Sequence, residues 1–302
     1  MGFFEGNPDF VVDIFARTAV IHNYANPPAS GIILLDVIKN VLVDQIPWIN
    51  TILHKVRNST LDNERRGKII YGKDLDQKIL EHGVWYNINL TLNRDCSFYL
   101  DTRNLRKWVI ENSQSKTVLN TFAYTSSLGI SALAGGAKRV VQIDRNQAFM
   151  NLAKRSYALN GFQIDPRDFI VGDFFSLVKR FKQQNIRFDC VFLDPPFFAV
   201  SQRSGFNLVH DSRRLVNKVR PLINDRGRLV IVNNALYLSG QEFFRTLTLL
   251  CEDGYLKIET LIPIPGDIVG YPCTISRFPV INPAPFNHST KIAVLSVRRK
   301  ED

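Results

Sequence analysis

Residues 117–144, TVLNTFAYTSSLGISALAGGAKRVVQID, contain the pattern that decides the fold. Apolar runs at 117–122 and 139–143 predict two strands, and the segment between them, at 127–134, predicts a helix. A strand, a helix and a second strand in this order form a βαβ unit, whose crossover is right-handed and whose strands are parallel. The stretch therefore predicts the beginning of a parallel sheet.

The same alternation continues to the end of the chain. Further elements are predicted as strands at 168–171, 188–193 and 228–232, and as helices at 147–159, 174–184, 208–220 and 241–251. The last two strands, at 255–262 and 291–297, have only a Pro-rich loop between them, which predicts an antiparallel hairpin at the sheet edge. The predicted fold class is therefore α/β: a Rossmann-like, mostly parallel sheet that ends in an antiparallel hairpin. We assign this domain to residues 105–302.

Residues 1–104 follow a different pattern, typical of a small α+β domain. A hairpin is predicted at 10–23, followed by a helix that Ser30 caps and Pro47 stops, and by a polar loop at 58–77. Further strands are predicted at 51–57, 84–90 and 97–100. The apolar face of the helix is predicted to comprise Ile33, Leu34, Val37, Ile38, Val41 and Leu42. Since no group of catalytic residues is found here, we interpret this half as an accessory domain.

The composition favours a globular protein that meets a polyanion. The 302 residues are 45% hydrophobic and 22% charged, and they carry a formal net charge of +10. Lys and Arg side chains gain affinity for nucleic acids by releasing counterions from phosphates, so RNA or DNA is favoured as a partner. No apolar run is long enough to cross a bilayer, and the first residues do not resemble a secretory signal. No membrane association is expected, and the sequence indicates no oligomeric state.

The four cysteines are scattered and form no Cys-x-x-Cys pair. They are Cys96, Cys190, Cys251 and Cys273. Such spacing argues against a zinc site or a disulfide framework and fits a reducing cytoplasm. We therefore expect no metal.

Small or acidic residues follow the first three strands of the second half. Ligands of open α/β sheets bind at the carboxyl ends of the strands, so these residues are candidates for a cofactor site. The segment 120–129 leads into a helix whose first N–H groups suit a carboxylate, or it is an ordinary strand-to-helix turn. Asp144 suits both ribose hydroxyls of an adenosine, or caps the next helix. Asp173 suits an adenine amino group, with Phe174 beside the ring, or is likewise a cap.

The sharpest motif follows the fourth strand: Asp194, Pro195, Pro196, Phe197 and Phe198. Two prolines stiffen the chain and cannot extend a strand, so they expose backbone carbonyls that need partners. These carbonyls and the Asp194 carboxylate are suited to accept from the amino group of a planar base, and an aromatic ring beyond them is suited to stack on it. A rigid turn that closes a strand is the structural alternative, and the Asp and the aromatic residues argue against it.

At these motifs the sequence resembles the bacterial large-subunit ribosomal RNA methyltransferases, which include 23S cytosine-C5 and guanine-N7 enzymes. The resemblance covers residue 81 to the end and rests on residues 81–83, 98–106, 118–125, 132–137, 140–144, 158–161 and 194–199. It implies the class I methyltransferase fold, S-adenosylmethionine as cofactor and no metal. We find no N-terminal RNA-binding PUA domain of the kind that many members carry.

The resemblance also implies roles for individual residues. The implied cofactor-binding residues are Phe122, Tyr124 and Thr125 in the cofactor loop, Asp144 at the ribose, Asp173 beside adenine, and Asp101 and Arg103 in a segment that closes over the cofactor. The implied catalytic residues are Asp194, Pro195, Pro196 and Phe198. Two positions depart from the family: Ser126 stands where a Gly is usual, and Thr102 where Gln or His is usual.

The predicted function is direct methyl transfer from S-adenosylmethionine to a nitrogen of an RNA base, with 23S ribosomal RNA as the expected partner. Carbon 5 of cytosine is an alternative target, but it requires a nucleophilic cysteine. Cys273 is the one cysteine expected to be able to reach the site. A non-RNA substrate and a non-enzymatic RNA-binding protein are further alternatives. A dinucleotide oxidoreductase is disfavoured because the Gly-x-Gly-x-x-Gly fingerprint is missing.

One basic group has two interpretations. The positive side chains that follow the catalytic strand are Arg213, Arg214, Lys218 and Arg220. They either line a path for RNA or form a solvated helix face.

Overall fold

The order of the strands shows how the chain is organised. In the computed structural model, residues 2–196 and 208–299 are described, and the chain divides into two compact units. The first comprises residues 1–100 and 266–278, and the second comprises residues 101–265 and 279–302. Residues 101–104, which we predicted to end the first domain, belong to the second unit. The accessory role of the first domain stays a prediction.

The first unit contains a four-stranded sheet covered by a helix, and a separate hairpin. Its elements are β1 (Phe10–Phe15), β2 (Thr18–Asn23), α1 (Ile32–Gln45), β3 (Thr51–Val56), α2 (Asp62–Arg66), β4 (Lys68–Tyr71), β5 (Lys78–Glu81), β6 (Val84–Asn87) and α9 (Gly266–Val269). The sheet order is β1-β2-β3-β4, with β2 and β3 parallel and the outer pairs antiparallel. Strands β5 and β6 form the hairpin. Leu42 of α1 packs with Phe10, Ile21 and Ile52 of the sheet to form the core.

Several predictions for this half were wrong. The Ser30 hydroxyl donates to the Pro27 carbonyl instead of capping α1, whose N-cap is Gly31. The predicted loop 58–77 contains α2 and β4, and the predicted strand at 97–100 is no strand. Residue Ser97 has a φ of 57°, which an extended strand does not allow.

The predicted apolar face of α1 is only partly buried. Ile33, Val37 and Val41 are exposed, whereas Leu42 is buried. The run of apolar residues in α1 is wider than the side that meets the sheet, so the sequence pattern overstated the buried face.

The second unit is built on a seven-stranded sheet. Its elements are α3 (Arg103–Asn112), β7 (Thr117–Thr121), α4 (Ser127–Ala134), β8 (Arg139–Asp144), α5 (Gln147–Leu159), β9 (Phe169–Val171), α6 (Phe174–Gln183), β10 (Phe188–Leu193), α7 (Leu208–Val219), β11 (Ile223–Asn233), α8 (Gly240–Cys251), β12 (Leu256–Leu261) and β13 (Lys291–Val297). The strand order is β12-β13-β11-β10-β7-β8-β9, and only β13 pairs antiparallel with its neighbours. The predicted Rossmann-like sheet with a terminal antiparallel hairpin is confirmed.

The two faces of this sheet are packed differently. On one face, α6, α7 and α8 bury apolar side chains such as Phe181, Val216 and Phe243 against the strands. The other face carries a buried polar chain: Asn120 donates to Gln142 (2.8 Å), which donates to the Tyr157 hydroxyl (3.0 Å). Helix α4 approaches this chain so closely that a Cβ atom at Gly129 would lie 1.9 Å from Gln142 Nε2. These hydrogen bonds therefore connect β7 and β8 to α5, and Gln142 also packs closely against α4, the helix that follows the cofactor loop.

None of the helices of the described residues combines the length and the apolar character that crossing a bilayer requires.

Candidate active site

The register of the parallel strands brings the predicted site residues to one edge of the sheet. Thr121, at the end of β7, pairs with Ile143 of β8 and with Leu193 of β10. Asp144 and Asp194 directly follow those two partners, so they lie at the ends of the strands that flank β7. A ligand that reaches both carboxylates therefore has to cross the end of β7 and the loop that follows it.

Asp144 holds the cofactor loop by its backbone. Its two carboxylate oxygens accept from the N–H groups of Tyr124 (2.8 Å) and Asn146 (2.9 Å). The alternative role of Asp144 as a helix cap is filled by Asn146, whose side chain accepts from the N–H of Ala148 (2.9 Å). Burial raises the pKa of Asp144, and the backbone hydrogen bonds oppose that rise because they stabilise the charged form.

The loop itself has an alternating backbone conformation. Phe122, Tyr124 and Ser126 have φ values of 51°, 51° and 66°, and they alternate with residues of negative φ. The N–H groups of Ala123 and Ser126 donate to backbone carbonyls, and that of Tyr124 donates to Asp144, so these three are already satisfied within the protein. Helix α4 begins directly after this loop, so its first N–H groups and the positive end of its dipole lie at the same place.

Ser126, which stands in place of the usual Gly, adds a polar atom without a partner. Its hydroxyl is buried, and it has no hydrogen-bond partner among the described residues. It is the N-cap of α4 but makes no side-chain cap. A buried hydroxyl without a partner costs about 1–3 kcal/mol, so a ligand group that bonds to it is stabilised by the same order. The residues of this loop therefore fit a carboxylate-bearing cofactor.

Aromatic rings line the same end of the sheet. Phe122 stacks on Phe174, with ring centroids 4.6 Å apart and planes at 26°. Tyr124 meets Phe149 edge-on, with centroids 4.6 Å apart. Thr125, which directly follows Tyr124 in the loop, is buried. The loop thus combines an apolar wall with donor groups, which is the composition of a nucleoside site.

Asp173 lies after β9 and serves as a helix cap. It accepts from the N–H of Ser176 (3.1 Å) at the start of α6, and it forms an ion pair with Arg145. Its hydrogen bond with Arg145 lowers the pKa of Asp173. The capping alternative is therefore present in the structure, and contact with adenine stays a prediction.

Asp194 has a different environment from Asp144. Burial, together with the nearby carboxylate of Asp101, raises the pKa of Asp194 to about 7. Asp101 is held in turn by Thr290, whose hydroxyl donates to it (2.7 Å). Pro195 is half-buried and Pro196 is exposed, so the backbone after Asp194 reaches the surface.

The roles of Phe198 and Arg103 stay predictions. Phe198, which we predicted to stack on the base, lies outside the described residues. Arg103 is the first residue of α3 and directly follows the turn that contains Asp101. Arg103 therefore lies within the segment that is predicted to close over the cofactor. Its contact with the cofactor stays a prediction.

Sequence reasoning missed a buried cationic side chain at this edge. Lys291, at the start of β13, pairs in register with Asn233 at the end of β11. Its ammonium group donates to the carbonyl oxygens of Ala235 (3.0 Å) and Ser289 (2.5 Å), and burial lowers the pKa of Lys291 to about 8. Nothing in the sequence near Lys291 marks it, because its partners come from the loops after β11 and before β13.

A metal centre would need a group of ligating side chains. Among the side chains of residues 2–196 and 212–299, no three His, Cys, Asp or Glu residues are grouped so that they could hold a metal ion.

A Rossmann-like sheet whose edge combines a helix N-terminus after the first strand, an acidic residue after the second and Asp-Pro-Pro after the fourth defines a class I methyltransferase. Residues 51–249 match the S-adenosylmethionine-dependent methyltransferase family, and the chain belongs to this family. The prediction of S-adenosylmethionine as the cofactor is thereby confirmed.

Relatives with assigned names point to the same family. The chain is 33% identical over 187 residues to the ribosomal RNA large subunit methyltransferase K/L of Shewanella woodyi, which is 61% of this chain and 26% of that protein. It is 38% identical over 141 residues to the ribosomal RNA large subunit methyltransferase I of Aeromonas salmonicida, which is 46% of this chain and 35% of that protein. The matches therefore span about a quarter to a third of these relatives. They confirm the predicted resemblance to the large-subunit enzymes.

Solved structures share the fold. A Streptococcus mutans protein described as an S-adenosylmethionine-dependent methyltransferase matches 96% of this chain and 72% of its own, with a TM-score of 0.80 and 20% identity. The methyltransferase SMU.776, solved in complex with SAH, matches 98% of this chain and 73% of its own, with a TM-score of 0.81 and 20% identity. At this level of identity the likeness shows the fold.

Proposed function

We propose that this protein methylates a nitrogen atom of a base in ribosomal RNA. The observation that carries the proposal is the placement of Asp144 and of Asp194-Pro195-Pro196 at the ends of the two strands that flank β7. The first suits a nucleoside cofactor and the second a planar base. The relatives named as ribosomal RNA large subunit methyltransferases support RNA as the substrate. The net charge of +10 supports a polyanion.

The cofactor loop and Asp144 are proposed to hold the methyl donor. When bound, S-adenosylmethionine supplies a methyl group that its sulfonium has already activated. The first N–H groups of α4 receive an amino-acid carboxylate, with the Ser126 hydroxyl as a further donor. Asp144 accepts from ribose hydroxyls. Its bonds to Tyr124 and Asn146 fix the carboxylate, so little entropy is lost on binding.

Asp194 is proposed to receive the base. Its carboxylate and the carbonyl groups beside the two prolines accept hydrogen bonds from an amino group on the base, which orients a nitrogen lone pair toward the donor. A carboxyl with a pKa of about 7 is also a suitable acceptor for a proton released near neutral pH. The base has to leave its stack to reach this edge.

The state of Cys190 and Cys251 supports nitrogen over carbon 5, and Cys273 is the remaining candidate thiol. Cys190 lies within β10, and burial raises the pKa of its thiol to about 12, so no thiolate forms at neutral pH. Cys251 ends α8, and burial raises its pKa as well. Cys273 is exposed in the segment 266–278 of the first unit. A nitrogen needs no thiolate, because its lone pair attacks directly. The family resemblance favours guanine over adenine.

The test is methylation of ribosomal RNA by the purified chain with a deuterated methyl donor, followed by mass spectrometry of the nucleosides. We expect deuterium in a nitrogen-methylated purine. Label in 5-methylcytidine would overturn the nitrogen assignment, and absence of label from RNA would overturn the proposed substrate.

We also propose a cytoplasmic location for this protein, because its free, scattered cysteines fit a reducing compartment.

A further inference from the structure

The exposed side of helices α6 and α7 carries an unneutralised row of cations. Lys179 and Lys182 of α6 and Arg214 and Lys218 of α7 are all exposed. None of the four forms an ion pair with a side chain of residues 2–196 or 212–299. We define these four residues as the α6–α7 basic face.

The contact between the two helices places the four side chains on one surface. The Arg214 guanidinium lies over the ring of Phe175, 5.4 Å from its centroid, so these two residues mark where α7 meets α6. Residues four apart lie on the same side of a helix. Lys179 and Lys182 therefore lie one and two turns beyond Phe175, and Lys218 lies one turn beyond Arg214, on the same sides of their helices.

The face begins beside the active-site edge. Phe175 is the second residue of α6, and it directly follows Asp173 and Phe174 in the chain. Helix α7 is the crossover that follows Asp194-Pro195-Pro196 and leads to β11. An RNA chain that enters the site at this edge and continues along the two helices therefore meets Arg214 first and the lysines afterwards.

Folding alone does not account for this row of cations. The inner sides of both helices are apolar, with Leu177 and Phe181 on α6 and Leu215 and Val219 on α7 in the core. The sequence of α6 contains no acidic residue, and that of α7 contains only Asp211. Like charges on adjacent helices repel one another, and an external anion removes that cost.

Arg220 of the predicted basic group is excluded from the face. Its guanidinium forms an ion pair with Asp253 (2.8 Å) and lies over the ring of Tyr255 (5.8 Å). The structure thus separates one neutralised arginine from the exposed members of the group.

We propose that the α6–α7 basic face binds the phosphate backbone of the RNA whose base enters the site. This inference rests on the proposed function. The spacing of single cations along two helices suits successive phosphates, and the cation–π contact fixes the guanidinium of Arg214 before RNA arrives. Binding there positions the substrate and carries no base specificity.

The test compares two fourfold variants by RNA binding across a range of salt concentrations. The first, Lys179→Gln, Lys182→Gln, Arg214→Gln and Lys218→Gln, removes the face. The control, Lys116→Gln, Lys138→Gln, Arg155→Gln and Lys257→Gln, removes the same charge from exposed positions of the second unit outside α6 and α7. All eight side chains are exposed, so both variants are expected to fold, and thermal melting with SAH calorimetry checks this.

We expect the face variant to bind a ribosomal RNA fragment at least about tenfold more weakly at low salt, and its salt slope to fall by about 0.7 for each phosphate that it no longer neutralises. The affinity of the control should fall far less, and SAH affinity should be unchanged in both. If RNA affinity falls equally in the two variants, or does not fall in the face variant, the proposal that the α6–α7 basic face binds RNA is overturned. RNA binding by the wild-type chain would still stand. If the wild-type chain binds no RNA at low salt, the proposed function itself fails.

Discussion

Asp144 and Asp194 are the same residue type at neighbouring points of one sheet edge, yet their surroundings differ. Burial raises the pKa of Asp144, but backbone N–H groups donate to both of its oxygens and oppose that rise. Asp194 lies near a second carboxylate, Asp101, and its pKa is raised to about 7. The local surroundings therefore suit Asp144 to accept hydrogen bonds as a carboxylate, and they suit Asp194 to exchange a proton near neutral pH.

The largest effect is expected from Asp194→Ala. Loss of the carboxylate removes both the acceptor for the base and the group suited to take a proton, which is worth about 10²- to 10⁴-fold in rate. Methyl transfer to RNA under saturating cofactor measures it. Asp225→Ala, an acidic residue near the start of β11, is the control and should retain activity. Retained activity in Asp194→Ala would contradict the role given to this carboxylate.

A stability measurement sharpens the comparison at Asp194. Because the folded-state pKa of about 7 is above the unfolded value of about 3.9, the folded protein binds more protons between these pH values. Wild-type stability is therefore lost as pH rises through this window, and Asp194→Asn escapes that loss. We expect the variant to gain stability over wild type between about pH 4 and about pH 8, by on the order of 2–4 kcal/mol. Denaturant unfolding of both proteins at the two pH values measures this gain. If the variant and the wild type differ in free energy of unfolding by the same amount at both pH values, the raised pKa of Asp194 is refuted.

A smaller effect is expected from Asp101→Asn. The substitution removes the carboxylate that disfavours ionisation of Asp194, so the pKa of Asp194 falls. The acid limb of the pH–rate profile should then move to lower pH by about one unit or less, which is the scale of a partly screened neighbouring charge. Thr290→Val, which removes the donor to Asp101, is the companion variant. If the acid limb of the pH–rate profile does not move in Asp101→Asn, burial alone raises the pKa of Asp194.

The smallest effect is expected from Cys273→Ser. Direct transfer to nitrogen uses no thiolate, so activity should change by less than about twofold, as for an exposed surface substitution. RNA that contains 5-fluorocytidine should form no stable adduct with the wild-type chain. An adduct that disappears in Cys273→Ser would instead indicate transfer to carbon 5.

The alternating half of the chain could be predicted closely from sequence, because each crossover helix forces a matching pair of strands. Strand β10 has the predicted bounds, whereas β11 starts at Ile223, ahead of the predicted Arg228. The early residues of β11 include Arg226 with a φ of 57°, and the pairing with β10 is irregular there. Local patterns do not show such irregular pairing, because it depends on the neighbouring strand.

The first half was harder for the same reason. Strand β4 has four residues in a polar stretch and forms because β3 offers it a partner. At the site, Asp144 and Asp194 could be predicted because each directly follows an apolar strand. The bond from Thr290 to Asp101 joins residues 189 positions apart, so no local pattern marks it.

The division of roles, in which Asp144 serves the cofactor and Asp194 serves the base, is tested most directly by calorimetry. SAH is titrated into Asp144→Ala and into Asp194→Ala. We predict that Asp144→Ala weakens binding by about 1–3 kcal/mol, the cost of leaving buried polar groups unpaired. We also predict that Asp194→Ala binds SAH as the wild type does, although methyl transfer falls by about 10²- to 10⁴-fold. Equal affinity in Asp144→Ala and wild type, or equal weakening in both variants, would contradict the division of roles.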